Sequence, residues 1–180
     1  MYPFLRLATE LALSRRLPPL GLTGTHVSHH TCMPWDIDPW MELNNGRTLT
    51  LYDLGRIPYG RRIGLDRALR ANRWGMAVAG ASVRYRRRIK AFDRVEMRSR
   101  GLGWDDRFLY IEQSLWRNGE AANQILIRSA VTSKAGIIAP ARLVEALGEA
   151  TESPPLPAWV AAWIEAEGER PWPPEGAGRP

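Results

Sequence analysis

Apolar and polar residues alternate with a period of two over much of residues 74–133, which predicts β-strands with one face on a core. The alternation begins within residues 77–85 and recurs around Met97, Ile111 and Ile127. An Asn-Gly dipeptide at positions 118 and 119 separates two of these runs, and it is a strong signal for a tight hairpin. We therefore expect four antiparallel strands here, arranged as a meander.

A helical pattern precedes these strands. Residues 44–57 carry large apolar side chains at helical spacing, which predicts the main helix, and we expect Pro58 to end or kink it. Gly55 would let another backbone approach the helix closely. Residues 24–33 are rich in β-branched and small residues, so they predict one more strand ahead of the helix.

The remaining segments suggest helices at both ends of the chain. Residues 3–16 form an amphipathic pattern, and we expect that helix to pack against the domain rather than lie on a membrane. The last ten or so residues are predicted to be disordered. Three other segments have helical signals: residues 65–71, 140–148 and 157–167. The predicted organisation is an N-terminal helix (1–20), a main domain (24–139) and C-terminal helices with a proline-rich tail (140–180).

Composition narrows the class of protein. The single cysteine, Cys32, excludes an internal disulfide and fits a reducing compartment. No apolar run approaches the roughly 20 residues that span a bilayer. The N-terminus does not resemble a signal peptide, because its paired arginines follow the apolar part instead of preceding it. We therefore expect a cytoplasmic protein. The net charge of +6 has two interpretations, a solvated basic surface or a basic rim for an anionic substrate such as coenzyme A.

The most informative chemistry lies just before the main helix. Asp36 and Asp38 precede a pair of asparagines, Asn44 and Asn45, which open the helical pattern. Asparagine is a preferred helix cap, and a helix start carries unpaired N–H groups and a partial positive charge. A carboxylate beside such a helix end can act on a carbonyl group whose oxygen those N–H groups hold. This arrangement is suited to acyl transfer to water.

This order of motifs resembles the hotdog-fold thioesterases, in particular the 4-hydroxybenzoyl-CoA thioesterase-like branch. The resemblance covers residues 24 to about 139. It is carried by Asp36-Ile-Asp38, by Met41 to Asn45, by Asp53 and Arg56 along the helix, and by residues 82–94 and 103–108.

The resemblance implies an α+β hotdog fold, an antiparallel sheet of about five strands wrapped around a long central helix. It also implies an acyl-CoA thioesterase that acts on a coenzyme A or carrier-protein thioester, needs no metal or organic cofactor, and works as a homodimer or dimer of dimers. Asp38 matches the catalytic carboxylate of the family, and it would act either as the general base on water or as a nucleophile that forms a mixed anhydride. The chain departs from the family at Glu42, where relatives often have histidine, and at Met41, where they have glycine. Glu42 is therefore a second candidate carboxylate.

The other candidate site residues surround these two. Asn44 and Asn45 would hold water or the carbonyl group, while Gly46, Arg47 and Tyr85 are candidate substrate-binding residues. Each residue also has a simpler interpretation, and the sequence leaves both open. The simpler interpretations are a turn residue for Asp38, an exposed loop residue for Glu42, a plain helix cap for Asn44, a solvated strand end for Asp36, and a surface ion pair for Asp53 and Arg56.

Other functions are less well supported. His26, His30 and Cys32 would share a strand face with His29 opposite, but no second cluster completes a metal site. The arginines of residues 84–88 could suggest nucleic acid, yet alternation along a strand would divide them between two faces. A serine hydrolase lacks its motif, and a dehydratase would need a histidine near the helix start. The main alternative is a hotdog protein that binds acyl thioesters or lipids without hydrolysis.

Overall fold

An antiparallel sheet curves round one long helix in the computed structural model, which describes residues 2–174. The strand order is β1-β3-β4-β5-β2, and a short strand β6 pairs with the end of β5. The strands are β1 (His26–Thr31), β2 (Gly75–Tyr85), β3 (Arg94–Trp104), β4 (Leu109–Arg117), β5 (Glu120–Ser133) and β6 (Gly136–Ile138). The predicted α+β hotdog architecture is confirmed.

Helix α2 (Asn45–Arg62) is the central helix. Its buried face, which includes Leu51, Tyr52 and Leu54, packs against inward-facing residues of β3, β4 and β5 in the main hydrophobic core. Gly55 brings the helix close to β3, because a Cβ atom there would overlap the side chains of Met97 and Ser99. The close neighbours are therefore side chains, where the sequence suggested a backbone.

Helix α2 continues through Pro58 to Arg62, so the expectation that Pro58 ends the helix is wrong. Proline has no N–H to donate within the helix, which costs about 3 kcal/mol in a helix interior. Pro58, Tyr59 and Gly60 are nevertheless buried, and the Tyr59 hydroxyl donates a hydrogen bond to the carbonyl of Leu22. Burial of this last turn outweighs the loss of one backbone hydrogen bond.

The expected four-strand meander is also wrong, because β2 lies at the far edge beside β5 and β1 takes the place next to β3. Alternation defines which face of a strand is buried but not which strand lies beside it. The connection from β2 to β3, residues 86–93, crosses the end of the sheet over the start of α2. There Ile89 is buried, and its carbonyl accepts a hydrogen bond from the Leu43 amide over 2.8 Å.

Four further helices surround this unit: α1 (Phe4–Ser14), α3 (Leu65–Asn72), α4 (Pro140–Ala146) and α5 (Ala158–Glu169). All four lie where the sequence predicts helices. Helix α1 packs beside α2, as expected, with Leu7 against the main core. Helix α5 covers the opposite face of the sheet through Val160. The predicted C-terminal disorder falls partly on residues 175–180, which lie outside the described residues.

Candidate functional site at the start of the central helix

The residues between β1 and α2, 33–43, form a loop that we call the first loop. It begins with a 3-10 turn, Pro34–Asp36, and closes with a bridge between Ile37 and Leu43. Asn44 then caps α2, because its Oδ1 atom accepts a hydrogen bond from the Arg47 amide over 3.1 Å. The interpretation of Asn44 as a helix cap is confirmed.

Asp36 is fully buried, so the expectation of a solvated strand-end charge is wrong. Its carboxylate forms ion pairs with Arg6 of α1 (2.8 Å) and Arg47 of α2 (2.6 Å), and it accepts a hydrogen bond from the Met33 amide over 3.1 Å. Burial would raise the pKa of Asp36, but the hydrogen bonds from Arg47, the Met33 amide and Arg6 hold it below its ordinary value. Asp36 therefore ties α1, the first loop and α2 together.

Asp38, the leading catalytic candidate, lies in a turn of the first loop. Its Oδ1 atom accepts hydrogen bonds from the amides of Trp40 (2.9 Å) and Glu42 (3.4 Å). Its carbonyl accepts a further hydrogen bond from Met41. The side chain is half-buried and does not line the pocket described next, but it accepts a hydrogen bond from Glu42, which does.

A pocket of about 220 Å³ opens where α2 begins. It brings together three of the predicted site residues: Glu42 from the first loop, Asn45 from the first turn of α2, and Tyr85 from the end of β2. Glu42 forms an ion pair with Arg88 over 3.0 Å, and Arg86, Arg87 and Arg88 form a basic rim. The predicted residues Gly46 and Arg47 do not line the pocket.

The amides of the first turn of α2 differ in what they can bind. The Arg47 amide is already bonded to Asn44, and the Arg47 side chain is bonded to Asp36. Within residues 2–174, the amides of Asn45 and Gly46 donate to no acceptor, and both residues are exposed. Of the three N–H groups of Asn45, Gly46 and Arg47, the first two can therefore receive a ligand oxygen.

Asn123 completes the polar wall of the pocket, and the sequence analysis missed it. This buried residue of β5 accepts a hydrogen bond from the Tyr52 hydroxyl over 2.5 Å. Burial raises the pKa of Tyr52, so the hydroxyl stays protonated as the donor. A signal was present in the sequence, because position 123 continues the inward-facing series of Ile125 and Ile127 with a polar residue.

A second cavity, which we call the apolar chamber, has a volume of about 340 Å³. It lies between the second half of α2, α3 and the sheet, where the small residues Ala77, Gly101 and Ser129 leave space. Asp53 and Arg56 form an ion pair in its wall, and Arg56 also donates to Gln113 over 3.2 Å. Their side chains are only 24% and 21% exposed, so the expected surface ion pair is in fact largely buried.

The histidines of β1 divide between the two faces as predicted, with His26 and His30 buried and His29 exposed. Burial lowers the pKa of each buried histidine to about 4, with nearby arginines contributing. Cys32 is also buried, and burial followed by the charges of Asp36 and Asp93 raises the pKa of its thiol to about 11. Across residues 2–174 there is no group of three or more acidic, histidine or cysteine side chains arranged to hold a metal ion.

Comparison with known proteins identifies the family. Residues 32–164, more than half of the chain, match the model of the thioesterase-like superfamily, so the chain belongs to that family. Protein THEM6 from Xenopus laevis is 29% identical over 160 residues, which cover 86% of this chain and 75% of the relative. Protein THEM6 from Danio rerio is 37% identical over 96 residues, which cover 53% of this chain and 48% of the relative.

Solved structures confirm the hotdog fold. A probable thioesterase from Escherichia coli superimposes with a TM-score of 0.64 at 17% identity, covering 70% of this chain and 98% of that chain. A thioesterase from Thermus thermophilus, solved with coenzyme A and Zn, superimposes with a TM-score of 0.56 at 25% identity, covering 69% of this chain and 95% of that one. No helix within residues 2–174 is both long enough and apolar enough to cross a membrane.

Proposed function

We propose that this protein hydrolyses the thioester bond of an acyl-CoA at the pocket where α2 begins. The observation that carries the proposal is the pair of unpaired helix-start amides, Asn45 and Gly46, beside a carboxylate-bearing loop. Membership of the thioesterase-like superfamily supports the class of reaction. The basic rim of Arg86, Arg87 and Arg88 suits the phosphate groups of coenzyme A, since guanidinium groups bind phosphate through paired N–H donors.

In the proposed mechanism, the amides of Asn45 and Gly46 receive the thioester oxygen. Water attacks the carbonyl carbon and gives its proton to Asp38, whose Oδ2 atom is not needed for the turn bonds at Oδ1. The negative charge that develops on the oxygen is stabilised by the two amides, each worth about 2.7–4 kcal/mol in comparable enzymes. The carbon–sulfur bond then breaks, and the coenzyme A thiolate leaves and takes up a proton. Glu42, beside Asp38, is the second candidate for the base.

A homodimer is part of the same proposal. Strand β2 is a long edge strand, and its residue Val78 is 55% exposed. Edge strands present unpaired backbone groups, so pairing of two β2 strands would cover them. In such a dimer the pocket would lie near the subunit boundary. The buried thiol, which stays protonated, fits a reducing compartment, and we propose a cytoplasmic location.

The direct test is hydrolysis of a panel of acyl-CoA substrates by the purified protein, followed by detection of free thiol. Asp38→Asn should lower kcat by at least about a hundredfold if Asp38 is the base. Glu42→Gln made in parallel assigns the base to one of the two carboxylates. Asp106→Asn, at an exposed acid in the turn between β3 and β4 that lines neither the pocket nor the apolar chamber, is the matched control and should leave the rate unchanged. Undiminished turnover in both Asp38→Asn and Glu42→Gln would reject the mechanism.

The alternative function is binding of an acyl thioester or lipid without hydrolysis. The observation that favours it is the apolar chamber, whose volume suits a hydrocarbon chain whether or not the carboxylates act. The same panel separates the two functions. Saturable binding of acyl-CoA with no release of free thiol would support the alternative, whereas thiol release that depends on Asp38 or Glu42 supports hydrolysis.

A further inference from the structure

Four large apolar side chains are exposed at the end of the sheet where α2 begins. Trp35 (65% exposed), Trp40 (75%) and Met41 (70%) belong to the first loop, and Phe92 (68%) belongs to residues 86–93, which we call the second loop. The two loops are hydrogen-bonded, since the Phe92 amide donates to the Cys32 carbonyl over 2.7 Å and the Leu43 amide to the Ile89 carbonyl. The four side chains therefore share one end of the molecule.

The backbone at two of these positions is unfavourable for the residues it carries. Met41 has a φ of 59° and Phe92 has a φ of 68°, both in the left-handed region. Glycine or asparagine would adopt this conformation with less strain and would expose less apolar surface to water. Large apolar side chains at strained, solvent-exposed positions indicate a role for the side chains themselves.

The same end of the molecule is strongly basic. Five cations lie within residues 86–94, and the only acid there is Asp93. Arg86, Lys90 and Arg94 form no ion pair with any acid in residues 2–174. Arg87 and Arg88 are paired with Glu120 and Glu42, and the buried Asp36 pairs with Arg6 and Arg47 instead, so three of the five cations are not offset by an ion pair in the described part of the chain.

We propose that this end docks on the surface of a bilayer that contains anionic lipids. Trp35, Trp40, Met41 and Phe92 enter the interfacial region, where indole and other amphipathic side chains are favoured, while the cations of the second loop contact the headgroups. A second copy of this chain fits the surface less well, because a two-fold contact would set the two basic loops against each other. None of the four apolar side chains lines the pocket or the apolar chamber, so neither of these two cavities explains them.

Docking in this orientation sets the pocket at the start of α2 close to the bilayer, since Arg86 and Arg88 belong both to the second loop and to the pocket rim. Acyl thioesters with long chains partition into membranes, so substrate would reach the pocket from the lipid surface. This consequence rests on the proposed function, whereas the docking itself does not.

The test is sedimentation of the purified protein with vesicles of phosphatidylcholine, with and without phosphatidylserine. We expect binding only with phosphatidylserine. The double variant Met41→Gly with Phe92→Gly should bind about tenfold more weakly without any loss of folding stability, because glycine relieves the left-handed backbone at both sites. Lys90→Gln should weaken binding about fivefold.

Two matched controls separate docking from general effects. Arg73 is exposed and also left-handed, with a φ of 56°, at the end of α3. Arg73→Gly therefore relieves a similar strain and removes a cation outside the two loops, and it should leave vesicle binding unchanged. Arg67→Gln removes another exposed cation of α3 and should likewise have no effect.

Three results would overturn the proposal: no binding to anionic vesicles, binding that the loop variants do not weaken, or a lipid-independent dimer that the double glycine variant dissociates. Turnover of a short-chain, fully soluble acyl-CoA without lipid tests the proposed hydrolysis independently of docking. If the unmodified protein binds anionic vesicles but does not turn over that substrate, only the proposed hydrolysis is rejected. If it turns over that substrate but does not bind the vesicles, only the docking is rejected.

Discussion

Arg47 donates from Nε (3.0 Å) and Nη2 (2.6 Å) to the same oxygen of Asp36, and this contact fixes the start of the central helix to the first loop. Arg47 lies in the first turn of α2, and Asp36 lies at the end of the 3-10 turn after β1. The residues between them, 37–46, carry Asp38, Glu42 and the amides of Asn45 and Gly46 at the start of α2. The geometry of the candidate site therefore depends on a buried ion pair next to it.

Removing the charge of Asp36 should destabilise the protein strongly. Asp36→Asn would remove the buried carboxylate that pairs with both Arg6 and Arg47, and we expect a loss of about 3 kcal/mol in the free energy of unfolding measured in urea. Asp66→Asn breaks an exposed pair with Arg70 on α3 and should change stability by less than about 0.5 kcal/mol. Equal effects of the two substitutions would show that the buried pair contributes no more than a surface pair.

Stability should fall in mild acid because of His26 and His30. Both have a pKa near 4 in the folded state against an ordinary value of 6.5, so the unfolded chain binds more protons between these two pH values. The stability that these two neutral histidines contribute is fully present above about pH 6.5. It decreases as the pH falls towards 4, by up to about 3 kcal/mol for each histidine. Urea unfolding midpoints measured from pH 7.5 to 4.5 give the dependence of stability on pH.

His29 provides the control for this pH dependence, since it lies on the same strand but is exposed. His30→Gln should remove about half of the pH dependence of stability between pH 6.5 and 4, since His26 still contributes, whereas His29→Gln should leave it unchanged. A wild-type profile that is already flat over this range would contradict the assignment to buried neutral histidines.

Two glycine-to-alanine substitutions should change the stability in opposite directions. A Cβ atom at Gly55 overlaps Met97 Sδ and lies 2.8 Å from Ser99 Oγ, so Gly55→Ala should destabilise by about 1–3 kcal/mol despite the higher helix propensity of alanine. A Cβ atom at Gly168 in α5 meets no atom within 4 Å, so Gly168→Ala should stabilise by up to about 1 kcal/mol. Thermal denaturation of both variants checks the signs, and a stable Gly55→Ala variant would mean that α2 packs less closely on β3.

The cap of α2 should influence both stability and turnover. Asn44→Ala removes the Oδ1 atom that accepts a hydrogen bond from the Arg47 amide and should lower the free energy of unfolding by about 1 kcal/mol. Acyl-CoA hydrolysis should fall as well, because the amides of Asn45 and Gly46 lose their fixed orientation. Asn44→Ser keeps an oxygen acceptor and should restore both properties, so a serine variant that behaves like alanine would argue against the role of the cap.

Filling the apolar chamber should shorten the acyl chains that the protein accepts. Ala77 lines the chamber from β2, while Ala79, at a register shift of the same strand, lies outside it. Ala77→Leu should weaken binding of the longest acyl-CoA substrates about tenfold with little effect on short ones. Ala79→Leu is the matched control. Equal effects on all chain lengths would show that the chamber does not hold the acyl chain.

The sequence predicted the helices and strands better than it predicted which of them lie side by side. Periodicity located the helices and the strands, because each repeat depends only on which face of an element is buried. The pairing of β2 with β5 and the passage of α2 through Pro58 depend on tertiary packing, which a local pattern does not contain. The environments of the two aspartates before the helix also depend on tertiary packing. Asp36 and Asp38 stand two residues apart, yet one is buried by arginines from two helices and the other lies in a local turn.

The thiol of Cys32 makes the folded state measurable by simple chemistry. It is the chain's only cysteine, it is buried beneath the second loop, and a pKa near 11 keeps it protonated at neutral pH. A thiol reagent can therefore modify the native protein only when this end of the sheet opens. The rate of that modification gives the opening equilibrium of the region around the pocket, without any engineered label.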